Sequence, residues 1–473
     1  MNEKNNKRTI FGWSMYDWAK SAYETTTLGA VMPVYFVSVV VPEEGFLFRG
    51  NMYTGAEVWG FAIGSALFIF FLIMPTIGAI ADLSGSRMRL FKSFAYGGAI
   101  FASTFYFATS GDVVLTLIIY FLAQFGATGS NVFYDSVLKD ITTEDTIDQV
   151  SAKGYALGYL GGGLQLLLSL VIIQLGPGSL GIETELASRI AIAFAGLWWL
   201  TFSVFSFSRM KIDEVKPDKN QDINYITEGW KKNNLTLKRL VEIKHLKIPI
   251  IQPILKVLLE RVPIIKIFSK GLPYPVTRNF PFLSYFLVAY IFYWDGAQTV
   301  INMAGPFFSE VLLLDQTSII VVYLVVQFIA FAGARLAGYL AGRIGPKNTL
   351  IFTITLFFIA GNSAFVVPEK QLIPVIILGI VVGLGMGGLQ SVSRSVFANM
   401  LPRGAEGEFM GFFSVISRFS AIWGPIIYAY VSSTTGNPRL SLPGISLFFV
   451  VGILLLRKVD FNQKITEEEW AAS

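Results

Sequence analysis

The chain contains no cysteine, which excludes disulfides, thiol catalysis and every cysteine-based metal site. Its one histidine, His245, lies in a polar stretch and reads as a solvated loop residue, so no zinc or haem constellation can be assembled and no cofactor is expected. Charge is scarce as well. Asp, Glu, Lys and Arg make up 15% of the 473 residues, whereas a soluble chain of this length carries about 25% to cover its surface. There is no Gly-x-x-x-x-Gly-Lys run to cradle the phosphates of ATP, and no groove-reading motif for nucleic acid. The carboxylates lack an accompanying metal site or nucleophile–base pair, which argues against an enzyme. The first apolar run carries Asp17, Lys20 and Glu24 and is too long for a signal-peptide core, so no cleavable leader is expected.

What the chain has in quantity is apolar residues, 53% of the total. They gather into stretches of about 20 residues, the length needed to cross a bilayer. Six such stretches fall between residues 12 and 208 and six between 281 and 456, which predicts an all-α integral membrane protein with twelve transmembrane helices in two six-helix bundles. The first bundle is expected to span 1–208 and the second 281–457, with a tail at 458–473.

Residues 209–280 break the pattern. This linker is basic, and its second part carries Ile250, Ile251, Ile254, Leu255, Leu258 and Leu259 at helical spacing, opposite Lys256, Glu260 and Arg261. Pro253 and Pro263 forbid one long straight helix, so the segment reads either as an interfacial amphipathic element or as a plain tether.

The placement of basic residues gives orientation. With twelve spans, one side holds Lys4, Lys7, Arg8, Arg87, Arg89, Lys92, Lys139, Lys153, the linker, Arg343, Lys347, Arg403, Arg457 and Lys458, while the other holds Arg49, Arg189, Lys370 and Arg439. Loops rich in Lys and Arg stay in the cytoplasm, which places both termini there. The net charge of +5 therefore speaks of membrane orientation and not of nucleic acid.

The chain also repeats itself. Gly78-x-x-Ala81-x-x-x-Gly85-x-Arg87 is answered by Gly338-x-x-Ala341-x-x-x-Gly345-x-Lys347, and Asp135 in Tyr134-Asp135-Ser136-Val137 by Arg394 in Ser393-Arg394-Ser395-Val396. Asp17 and Asp295 each stand inside an apolar helix, in Tyr16-Asp17-Trp18-Ala19 and Tyr293-Trp294-Asp295-Gly296. An ionisable group in lipid costs about 2.5–3.5 kcal/mol on insertion scales, so each must meet a partner or a water-filled cavity. Parallel six-helix repeats are the build of the two halves of the major facilitator superfamily.

Gly78-x-x-x-Asp82-x-x-Gly85-x-Arg87 resembles the loop motif between helices 2 and 3 of that superfamily, with Asp82 and Arg87 as gating residues; the second copy has Gly342 in place of the acid. Gly12-Trp13-Ser14-Met15-Tyr16-Asp17-Trp18-Ala19-Lys20-Ser21-Ala22-Tyr23 resembles the opening helix of the autophagy-related vacuolar effluxer branch. Asn131-Val132-Phe133-Tyr134, Gly154-x-Ala156-Leu157-Gly158-Tyr159-x-Gly161-Gly162, Asp295-Gly296 and Gly387-Gly388-x-Gln390-Ser391-x-Ser393-Arg394-Ser395 are similar to its other hallmarks. The chain departs from that pattern at Lys20, Glu24 and Asp135. The branch includes many bacterial permeases, and its fungal members are implicated in releasing amino acids from the vacuole. The resemblance thus implies a bacterial cytoplasmic-membrane permease in which helices 1, 4, 7 and 10 line a central cavity.

On those helices, at about 1.5 Å per residue, Glu24, Asp295, Gln124 and Gln298 fall near mid-depth, and Asp17, Lys20, Asn131, Asp135, Gln390 and Arg394 in the cytoplasmic third. Asp17, Lys20 and Glu24 share one helix face by spacing. Asp17, Lys20, Glu24, Gln124, Asn131, Asp295, Gln298 and Gln390 are the expected substrate-binding or coupling residues, with Asp295 as proton carrier and Glu24 as the alternative carrier; Asp135 and Arg394 are expected to form a gate pair with Asp82 and Arg87 beside it. Both charge signs in one cavity suit a zwitterion. The expected function is secondary transport of a small polar or amino-acid-like solute by alternating access, driven by protons, by a monomer in the lipid bilayer. Two alternatives are a lipid or lysolipid flippase on the same fold and a non-transporting receptor or scaffold.

Overall fold

The computed structural model describes residues 4–212, 281–314, 316–402, 406–420 and 423–466. The linker expectation for 209–280, His245 included, lies almost wholly outside the described residues. The first helix, α1, starts at Lys7, where the Asn6 side chain accepts hydrogen bonds from the Arg8 and Thr9 amides. After Lys7–Ala22 it runs through wide π-type turns at Tyr23–Val31 and Phe36–Val40, separated by Met32–Tyr35. Pro33 has no amide hydrogen to give to the preceding turn, and widening that turn lets the helix continue past it.

A two-stranded antiparallel hairpin follows, β1 (Phe46–Phe48) and β2 (Asn51–Tyr53). Arg49 and Gly50 form its turn with φ of 51° and 84°, the left-handed pair that matches strand twist. The hairpin lies between the first two apolar stretches, and the all-α expectation is corrected by it.

The other helices are α2 (Gly55–Ser84), α3 (Arg87–Ser103), α4 (Val113–Ile141), α5 (Ile147–Leu175), α6 (Thr184–Phe207), α7 (Pro281–Pro306), α8 (Gln316–Ile344), α9 (Pro346–Ser363), α10 (Leu372–Met400), α11 (Glu406–Phe419), α12 (Trp423–Thr435) and α13 (Ser441–Lys458). Among the described residues, seven helical runs are long and apolar enough to cross a membrane: Val113–Ile141, Ile147–Ser179, Thr184–Phe207, Val321–Ile344, Pro346–Val366, Leu372–Met400 and Pro438–Lys458. They leave Val171, Leu175, Ile359, Ile373, Ile377, Leu447 and Leu454 exposed. Water would penalise such a continuous apolar surface and lipid does not; the protein is a multi-pass membrane protein. The apolar run at 408–432, long enough for one span, carries two described helices, α11 and α12.

The two motif copies fold alike. Gly85 and Gly345 both take positive φ, 63° and 83°, at the tight turn that reverses the chain after α2 and after α8. Helices α1–α6 pack on one another, as do α7–α13, and the two sets meet where α2 lies along α11 and where α5 lies along α8 and α10.

Candidate functional site: a cavity and its gate

A cavity of about 1210 Å³ lies between the two helix sets. It runs from Val34 and Ser38 on α1, Glu185 on α6 and Phe308 beyond α7 down to Asp135 and Arg394. Its floor is at the end of the molecule that carries both termini. There Lys4 donates to the Lys139 and Thr142 carbonyls and the Ile465 amide donates to the Met400 carbonyl. The cavity extends away from that end.

Arg394 is the floor's main element. It is 2% exposed, and its guanidinium meets Asp135 Oδ1 at 3.1 Å, Ser151 Oγ at 3.0 Å and the Ser151 carbonyl at 2.8 Å. The group also lies against the rings of Tyr155 at 4.1 Å, Trp13 at 5.0 Å and Tyr134 at 5.2 Å. Trp13 stacks on Tyr134 at 4.3 Å and donates its indole N–H to the Tyr134 carbonyl, which fixes that wall. A buried charge is tolerable only with such a complete set of partners. Asp135 and Ser151 come from the first half and Arg394 from the second, so the cluster ties the halves together.

Below the floor, more polar contacts cross between the halves. Ser395 donates to Asp148, Ser151 to the Ser391 carbonyl at 2.6 Å, and Lys139 to the Leu401 carbonyl. Arg87 lies 3.8 Å from Asp82, 3.3 Å from Asp140 and 3.7 Å from Glu406. Asp82 accepts from the Gly407 amide at 3.3 Å, where the positive end of the α11 dipole favours a carboxylate. In the second copy Gly342 faces Gln149 of α5 instead. Among the described residues, the acid-to-helix-start contact is made at the first motif copy, and the second copy has Gly342 at the acid's position.

Higher in the cavity, Lys20 Nζ lies 3.2 Å from Glu24 and also donates to Asn131, which donates in turn to Glu24 at 3.3 Å. Asp17, 4% exposed, accepts from the Tyr134 hydroxyl at 3.4 Å. Gln390 accepts from Tyr159, Gln124 accepts from Tyr23 at 3.4 Å, and Gln298 also lines the wall. Gly161 lets α5 approach α1, because a Cβ there would lie 2.6 Å from the Trp18 carbonyl. Asp17, Lys20, Glu24, Gln124, Asn131, Gln298, Gln390, Asp135 and Arg394 therefore share one cavity.

Asp295 is the exception. It is 1% exposed, is absent from the lining, and accepts from the Gly424 amide at 3.0 Å. Its carboxylate takes up a backbone donor in the first turn of α12, where amides lack the acceptor that later turns supply. The sequence showed a buried acid on a lining helix; it did not show a helix start beside it. Sequence reasoning also missed Tyr155, Ser151, Asp140 and Glu406. The two acids had a signal, since each ends or begins an apolar run on the lysine- and arginine-rich side.

The family described as "Vacuole effluxer Atg22 like" matches residues 60–251 and 276–469. The chain belongs to that family. Among its relatives, the MFS-type transporter YxiO of Bacillus subtilis is 27% identical over 94% of this chain and 93% of its own length. Autophagy-related protein 22 of Yarrowia lipolytica is 23% identical over 68% of this chain, which spans about half (52%) of that longer protein. The proton:xylose symporter XylE, solved with 6-bromo-6-deoxy-D-glucose, superposes with a TM-score of 0.66 at 14% identity over 98% of both chains. The fold of this Atg22-like chain is thus that of a major facilitator superfamily transporter.

Proposed function

We propose that this family member moves a small polar or zwitterionic solute across the membrane by alternating access, with proton coupling. The observation that carries the reading is the cavity itself: a charged floor, open at one end and closed at the other by polar contacts that only two separable halves can make and break. On this reading the chain has twelve spans, in bundles at 1–208 and 281–457, with both termini cytoplasmic and the cavity facing outward. The basic linker at 209–280 ties the bundles on the cytoplasmic side, and the protein works as a monomer in a bacterial cytoplasmic membrane. An amino acid is the solute class that suits paired charges on the floor and that the resemblance to the fungal effluxers implies.

Glu24 replaces Asp295 as the proposed proton carrier, because it lines the cavity with its side chain 36% exposed, whereas the Asp295 carboxylate is turned toward α12. The test is purified protein screened by thermal shift against amino acids, short peptides and lysolipids, followed by uptake into proteoliposomes under a pH gradient. A ligand at about a hundredfold over its Kd adds about 2.7 kcal/mol of stability. Stabilisation by lysolipids alone, or no pH-driven uptake of any stabilising solute, refutes the proposal.

A further inference from the structure

The charges that line the cavity pair off with one left over. Four carboxylates line it, Asp17, Glu24, Asp135 and Glu185, against two cations, Lys20 and Arg394. Lys20 is held by Glu24 at 3.2 Å, Arg394 by Asp135 at 3.1 Å, and Glu185 lies 3.7 Å from Arg189. Among the described residues, Asp17 alone of these carboxylates has no cation within ion-pair distance, and its one hydrogen bond is the long one from Tyr134. A buried carboxylate offers about four lone-pair sites, and burial without partners is costly.

The second half contributes unpartnered polar atoms to the same cavity. Trp294 and Gln327 line the cavity from the second half, and the Trp294 indole N–H and the Gln327 carbonyl oxygen are both buried without a hydrogen-bond partner among the described residues. Tyr290 stacks on Trp294 at 5.2 Å and meets Phe413 at 4.5 Å, which adds aromatic surface beside the indole.

We infer that Asp17 is the seat of the solute's protonated amine, the group that fixes how the solute is held; this rests on the transport reading above. An amine meets the one unpaired charge, and charge-assisted hydrogen bonds are the strong ones. A carbonyl or carboxylate oxygen on the same solute accepts from Trp294. An anion finds both cations already engaged and must break an ion pair to enter.

The test uses three ligands of matched ring and chain: phenethylamine, phenylalanine and 3-phenylpropionate, titrated calorimetrically into the purified full chain. Phenethylamine and phenylalanine are expected to bind about tenfold or more tighter than 3-phenylpropionate. Asp17→Asn should weaken the two amines roughly 10- to 100-fold without weakening 3-phenylpropionate, and Asp17→Glu should recover part of the loss. If Asp17→Asn does not fold, the ranking on the wild type decides alone. Equal or tighter binding of the acid, amine affinity unchanged in Asp17→Asn, or binding of other solutes but of neither amine overturns the amine seat while leaving the transport reading standing. Failure of every solute to bind or move removes both.

Discussion

Asp135→Ala should open the terminus-bearing end of this transporter. In the closed arrangement the substitution leaves Arg394, 2% exposed, without its carboxylate. Removing one partner of a buried ion pair typically costs about 3–5 kcal/mol. Two features reduce that here. Asp135 is itself 16% exposed on its side chain, and Ser151 still offers its carbonyl and hydroxyl to the guanidinium. A loss of about 2–3 kcal/mol follows for the closed state. Once the halves part, water reaches Arg394 and the same substitution costs little. The equilibrium between the two states should therefore move roughly 30- to 150-fold toward opening at this end. Because the chain has no cysteine, spin-label pairs can be introduced cleanly. Asp145 with Arg343 reports the terminus-bearing end and Ser38 with Lys370 the other. In Asp135→Ala the first distance should lengthen and the second shorten, and the exchanged pair Asp135→Arg with Arg394→Asp should recover part of the closed population. Unchanged distance distributions at both ends would refute the gate.

Other outcomes follow from the same contacts. Asp295→Ala removes the acceptor for Gly424 and should lower stability by about 1 kcal/mol, whereas Asp295→Asn keeps an acceptor and should keep both stability and pH-driven uptake; loss of uptake in Asp295→Asn would return the coupling role to that residue. Gly161→Ala drives a methyl group onto the Trp18 carbonyl and should cost about 1–3 kcal/mol in a thermal melt, against no change if α1 and α5 can slide apart. Glu144, in the loop before α5, is held below the usual carboxylate range by a hydrogen bond and ion pair from Lys464, across the gate from the second half. A depressed folded pKa means the contribution is present above the ordinary glutamate range and is lost as pH falls through the folded value. Wild type and Glu144→Gln should therefore melt alike in acid and diverge slightly above it; a gap that widens in acid contradicts the pairing.

Much of this molecule is legible in its sequence because the bilayer imposes a local rule. Each span must satisfy its own backbone hydrogen bonds, so length and apolar content alone mark helices such as Val113–Ile141 and Leu372–Met400. The cost of charge in lipid makes every ionisable residue within a span conspicuous, and Asp17, Lys20, Glu24, Asp135 and Arg394, singled out on that basis, line one cavity. The repeat at Gly85 and Gly345 was visible because a reversed turn demands positive φ, which glycine supplies most cheaply.

What the tertiary structure decided is direction and partnership. Helical spacing places Asp295 on a lining helix but does not say which way its carboxylate points; the start of α12, distant in sequence, captured it. The pairing of Asp135 with Arg394, 259 residues apart, follows from the repeat, but the seat made by Ser151 and the rings of Tyr155, Trp13 and Tyr134 does not. That Asp17 is left without a cation, once Lys20 is held by Glu24 and Arg394 by Asp135, could not be read along the chain. The physical reason is range. Hydrophobicity and backbone satisfaction act within a turn or a span and are written residue by residue, whereas Coulomb and hydrogen-bond partners are chosen at about 3 Å between helices whose rotation and depth are set only when the bundles pack.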